Sequence, residues 1–61
     1  MNRIKEKRIK AGFTQYQVSK EIGCTQAAIA QYESGKRQPS FKTLIKLAKL
    51  YECTVNDFVE V

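Results

Sequence analysis

Glycine and threonine recur together twice in the first half of this chain, at Gly12 and Thr14 and again at Gly23 and Thr25. This punctuation leaves room only for helices of about two to three turns on either side of each break. A glycine closes a helix because the left-handed conformation that ends it carries no Cβ clash. A threonine hydroxyl then accepts from the unpaired N–H groups that open the next helix. Before Gly12, the residues Ile4, Arg8 and Ile9, followed by Phe13, recur at helical spacing with mostly Lys and Glu between them, which predicts a first helix ending near Gly12. After Thr14 the apolar positions are Val18 and Ile22, with Ser19 offering a small surface for close approach of another helix. After Thr25 come Ile29 and Tyr32 at a three-residue spacing. Two short helices joined by a tight glycine turn make a helix-turn-helix layout.

The stretch Ser34-Gly35-Lys36-Arg37-Gln38-Pro39 is rich in turn formers and reads as a basic loop. Ser40 is placed to cap a fourth helix, with Phe41, Leu44, Ile45, Leu47 and Ala48 inward and Lys42, Lys46 and Lys49 outward. Thr54 caps a last short helical turn containing Val55 and Phe58. The sequence thus predicts an all-α fold of five helices, without a strand, as a single domain over residues 1–61.

At 61 residues the chain lies near the lower size limit for folding without disulfides or metals. Its composition, 43% hydrophobic and 28% charged, is nevertheless that of a chain with a packed core rather than a disordered one. Cys24 and Cys53 are the only cysteines and histidine is absent, so the usual four-ligand zinc sets are excluded and no metal or cofactor is expected. Both cysteines read as small buried hydrophobes rather than as a disulfide. An enzyme is not expected either: there is no histidine, no phosphate-cradling glycine loop and no recognisable pair of acids at catalytic spacing. No apolar run approaches the roughly 18 residues of a membrane span, and no signal peptide follows the basic start, which makes the cytoplasm the expected location.

The net charge of +5 points to a polyanionic partner without naming it. The charge is divided unevenly. Residues 1–12 carry five positive and one negative charge and residues 36–50 carry five positive and none negative, whereas residues 51–61 carry three negative and no positive charges.

The string from Thr14-Gln15 to Gly23, then Thr25-Gln26 through Ile29, Tyr32-Glu33, Gly35-Lys36 and Pro39-Ser40, resembles the lambdoid phage repressor and Cro family of helix-turn-helix proteins. The resemblance covers nearly the whole chain, with the motif at about residues 14–33. It implies a compact lambda-repressor-like domain and a sequence-specific, duplex-DNA-binding transcriptional regulator. Repression is the family default. In such motifs the second helix enters the major groove with its N-terminal residues at base edges, while the helix before it crosses the backbone.

Carried over residue by residue, the resemblance gives Gln26, Ala27 and Gln31 the base-contacting positions. A glutamine amide pairs with N6 and N7 of adenine, whereas the methyl of Ala27 suits a thymine methyl or leaves the base unread. Taken alone, these three side chains describe only a solvated helix face. The resemblance places phosphate contacts at Gln15, Thr25, Lys36, Arg37, Gln38, Ser40 and Lys42, and such contacts set register without reading sequence. Thr25 and Ser40 have capping as a second explanation. Arg8 and Glu33 match positions that form an ion pair between the first and third helices in several family members.

Two positions depart from the common family pattern. Lys7 stands where many members have leucine, so the first helix buries at most its aliphatic stem. Glu52 stands at the glycine position after the fourth helix, where a left-handed non-glycine residue costs on the order of 1 kcal/mol. One domain of this size reads few base pairs, so a homodimer on an inverted-repeat operator, with half-sites about 34 Å apart, is expected. Phe58, Val59 and Val61 are candidates for the dimer contact, with core closure by Phe58 as the alternative. The initial methionine and the lack of a trailing linker favour a complete, Cro-like chain. The other functional reading is a protein-interaction module, such as an antitoxin-type helix-turn-helix protein, which would present a contiguous apolar patch.

Overall fold

The computed structural model describes residues 3–59. Four α-helices follow in order, α1 (Ile4–Ala11), α2 (Gln15–Ile22), α3 (Gln26–Ser34) and α4 (Phe41–Leu50), and a single 3-10 turn (Val55–Phe58) closes the described chain. The fifth helix expected from sequence is therefore only this four-residue turn. At its start the Asp57 N–H donates to the Thr54 carbonyl at 3.0 Å while the Asp57 carboxylate accepts from the Thr54 N–H at 2.9 Å. It closes after one turn because Val59 is extended and its N–H returns to the Asn56 carbonyl, three residues back, at 3.1 Å.

The helix ends lie where the sequence punctuates. Thr14 is extended and its hydroxyl accepts from the Gln17 N–H at 3.1 Å, while the Gln17 side chain accepts from the Thr14 N–H at 2.8 Å, a complete capping box. Thr25 and Ser40 cap α3 and α4 in the same manner through the N–H groups of Ala28 and Thr43. Gly23 ends α2 at φ 77, and the Cys24 N–H returns to the Ser19 carbonyl at 2.9 Å, so the chain reverses within a few residues. After α4 the same device operates without glycine. Glu52 has φ 55, with the Cys53 N–H donating to the Ala48 carbonyl at 2.9 Å and the Glu52 N–H to the Lys49 carbonyl at 3.3 Å.

Ile4, Val18, Ile29 and Leu47 are fully buried at the centre, with Ala28, Tyr32, Ala48, Tyr51 and Phe58 around them. Tyr51 links the layers: its ring is tilted against Phe13 at 6.2 Å and meets Phe58 edge-on at 6.2 Å and 87°. Phe58 is thus a core residue and not a free dimer contact. Val59 is exposed, and Val61 lies outside the described residues. The Arg3 N–H donates to the Phe58 carbonyl at 3.2 Å, tying the start of α1 to the end of the fold.

Two apolar residues depart from their expected places. Phe41, expected inward, is 69% exposed. It is the first residue of α4, and a helical Cβ leans toward the N-terminus, off the end of the helix contact. Ile9 is 58% exposed. Helix α1 faces α3 through Arg8, and a residue one position later is turned roughly 100° away. Ser19 is buried on α2, with its hydroxyl donating to the Tyr16 carbonyl at 2.7 Å. Lys7 is half-buried. Among the described residues no helix is long and apolar enough to cross a membrane, and no group of three or more acidic or cysteine side chains is arranged to hold a metal ion.

Candidate nucleic-acid interface

Helix α3 has two chemically distinct sides. Ala28, Ile29 and Tyr32 are buried, while Gln26, Ala27 and Gln31 are exposed. Because Ala27 and Gln31 are one turn apart, their side chains stand above one another on the solvent side, with Gln26 at the first helical position beside them. Both glutamine amides point from a helix whose start is fixed by the Thr25 cap and whose back is locked in the core. The backbone beneath the exposed row is therefore held in place, and the row itself is uncharged.

The loop after α3 folds back onto it. The Arg37 backbone N–H donates to the Gln31 carbonyl at 3.2 Å, and the Arg37 guanidinium lies 5.7 Å from the Tyr32 ring centroid. A guanidinium stacked on an aromatic face keeps its N–H edges free for another acceptor. Lys36, Arg37 and Gln38 are exposed, Pro39 is buried as the anchor of the loop, and Ser40 and Lys42 are exposed at the start of α4. Ser40 spends its oxygen on the Thr43 N–H at 3.2 Å and its proton on the Thr43 hydroxyl at 3.0 Å, so its place is explained by capping. Thr25 likewise accepts from Ala28 at 3.1 Å.

A buried polar network holds α3 against the rest. Glu33 accepts from Arg8 at both oxygens, from Nε at 2.5 Å and from Nη2 at 3.3 Å. The remaining Arg8 nitrogen, Nη1, donates to the Phe13 carbonyl at 2.8 Å. The Gln15 side-chain amide also donates to Glu33, at 3.0 Å. Three helices thus converge on one carboxylate: α1 through Arg8, α2 through Gln15 and α3 through Glu33 itself. An amide nitrogen carries two protons, so Gln15 keeps one donor beyond the bond to Glu33.

Near this network the Tyr51 hydroxyl is buried with no hydrogen-bond partner among the described residues. Burial pushes its ionisation well above the usual tyrosine range, and the nearby Glu33 charge pushes it further. Cys24 and Cys53 are free thiols, half-buried against the core, and burial raises both.

The structure brings together Arg8, Glu33 and Gln15, and joins the Arg37 loop to α3. Lys42 makes no ion pair with another described residue. Two features were not singled out from sequence. On α2 the Lys20 ammonium lies 5.3 Å from the ring centroid of exposed Tyr16, a pair at the i, i+4 spacing legible in the sequence. A notch between α1, α2 and α3, lined by Lys5, Gln15, Ala30, Glu33 and Ser34, brings together residues up to 29 positions apart, which no local periodicity reveals.

Residues 4–58 match the family model described as Helix-turn-helix. Two proteins of Archaeoglobus fulgidus, each named an uncharacterized HTH-type transcriptional regulator, are 34% and 36% identical to the chain over 55 residues. Those alignments take in 90% of this chain and 79% and 78% of the two relatives. The HTH-type transcriptional regulator ImmR of Bacillus subtilis is 35% identical over 54 residues, which is 88% of this chain but 42% of ImmR. No solved structure gives a match.

Proposed function

The chain belongs to the Cro and phage-repressor type of the helix-turn-helix family, and from that premise we propose that it is a transcriptional regulator, a repressor, that reads duplex DNA in the major groove with α3. The observation that carries this reading is the two-sided character of α3: Gln26, Ala27 and Gln31 exposed on one side, Ala28, Ile29 and Tyr32 buried on the other. In this reading Gln26 and Gln31 pair with adenine edges and Ala27 meets a thymine methyl. Gln15, Thr25, Lys36, Arg37, Gln38 and Lys42 set the register on phosphates, and Ser40 joins them by turning its hydroxyl proton from Thr43 to a phosphate oxygen. Gln15 uses the amide proton left over from Glu33, and Arg37 the guanidinium edge left free by its stacking on Tyr32.

Arg8 and Glu33 act as positioning residues, fixing α3 relative to α1 and α2 so that the reading side meets the groove at one angle. The chain works as a homodimer on an inverted repeat, with half-sites about 34 Å apart, in the cytoplasm of a bacterial or phage-infected cell.

Selection of bound sequences from a random duplex library near physiological salt tests this reading. The expected result is enrichment of an inverted repeat whose preferred bases change with Gln26→Ala. A library that returns no enriched sequence would move the reading to a protein-interaction module.

A further inference from the structure

The notch beside the reading helix has a cavity volume of about 200 Å³, room for several waters at roughly 30 Å³ each and hence for a phosphodiester group. Its wall from α1 is Lys5, which is exposed and makes no ion pair or hydrogen bond with another described residue. Its wall from α2 is Gln15, whose amide holds one unused proton after donating to Glu33. Its wall from α3 is Ala30, Glu33 and Ser34. Ala30 has no atoms beyond Cβ and leaves the space open. The Glu33 charge is answered by the two N–H groups of Arg8, so Lys5 leaves the notch with an unbalanced positive charge. Ser34 donates to the neutral Gln31 carbonyl at 3.2 Å, and turning that proton to a charged oxygen would give a stronger bond. Ala27, Ala30 and Ser34 follow one another along α3 at helical spacing, so the notch adjoins the exposed reading row.

We propose that this notch receives one backbone phosphate of the bound duplex and that Lys5 is its charged ligand. The inference rests on the DNA-reading function above and adds to it a contact from α1. Lys5 together with Gln15 clamps the phosphate between two helices and fixes how far α3 sinks into the groove. Because a phosphate carries no sequence information, Lys5 contributes affinity and register equally on every site.

The test is the salt dependence of duplex binding by the whole chain, combined with a scan of single neutral methylphosphonate linkages along a selected binding site. Lys5→Gln is expected to lower the slope of log affinity against log salt by about 0.9, the value of one lost phosphate contact, with the base preferences unchanged. Lys5→Arg is expected to restore the slope, and Lys46→Gln, on the outer side of α4, to leave it as it is. One methylphosphonate position is expected to weaken the wild-type chain several-fold and to weaken Lys5→Gln by clearly less. If the wild-type chain selects a sequence but Lys5→Gln keeps both its slope and its methylphosphonate profile, the notch is overturned while the DNA reading stands. A wild-type chain with no affinity for any duplex would overturn both.

Discussion

Arg8 and Glu33 meet across the contact of α1 and α3 with their side chains 11% and 4% exposed, and every hydrogen-bonding nitrogen of that guanidinium faces an acceptor in the protein. At this burial the pair is not a surface salt bridge worth a fraction of a kcal/mol. Taking either partner away strands the other charge in a dry place, together with the Phe13 carbonyl or the Gln15 amide that shares the network.

Arg8→Ala and Glu33→Ala are each expected to destabilise the fold by about 3–5 kcal/mol. For a chain of this size, total stability is only on the order of 3–9 kcal/mol, so either variant stands near unfolding. The double variant is expected to lose less than the sum, with a coupling of about 1–3 kcal/mol in urea unfolding. Strict additivity would mean that the two side chains do not hold α3 in place.

Tyr51 gives an expectation of the opposite sign. Its ring packs on Phe13 and Phe58, but its hydroxyl is buried without a partner among the described residues. Tyr51→Phe keeps the ring contacts and removes a polar atom that lost its water on folding, so stability is expected to rise by about 1 kcal/mol. A clear loss of stability in thermal unfolding would show that the hydroxyl has a partner the geometry does not reveal.

The turn after α4 offers a second route to stabilisation. Glu52 sits at φ 55 and completes the closing hydrogen bonds of the helix in a conformation that favours glycine. Glu52→Gly relieves about 1 kcal/mol of backbone strain, less a part returned to the more flexible unfolded chain. The expected rise in Tm is a few degrees, since about 1 kcal/mol corresponds to roughly 4–8 °C in a domain of 60–100 residues. An unchanged or lower Tm would locate the strain elsewhere.

Local chemistry made most of the fold legible in the sequence. Thr14, Thr25 and Ser40 act within three residues of themselves, and Gly12 and Gly23 end helices by their own backbone freedom, so each could be read without knowing the rest. Ile29 and Tyr32 were readable for the same reason. Phe41 and Ile9 were not, because hydrophobicity says that a residue is apolar and not whether a neighbouring helix covers it. The last helical segment is shorter than its Thr54 cap suggests, because Val59 leaves helical geometry after one turn, which the apolar residues around it do not signal. In the candidate interface, the exposed glutamines followed from helical spacing combined with family resemblance. The sharing of Glu33 by Arg8 and Gln15, and the notch at Lys5, depend on how three helices meet and have no local signature.

If α3 reads bases and the loop after it holds phosphates, substitutions in the two places must fail differently. Gln31→Ala removes an amide that discriminates one base, so binding to the preferred site is expected to fall by about 1–3 kcal/mol, while binding to unrelated duplexes stays nearly constant. Lys36→Gln removes a charge with no base to read, so specific and non-specific binding are expected to weaken together, with a salt slope lower by about 0.9. Titration of both variants against the selected site and a scrambled duplex, at several salt concentrations, separates the two behaviours. Were Gln31→Ala to weaken both duplexes alike, the exposed row of α3 would be a backbone contact and the reading of bases would have to come from another part of the chain.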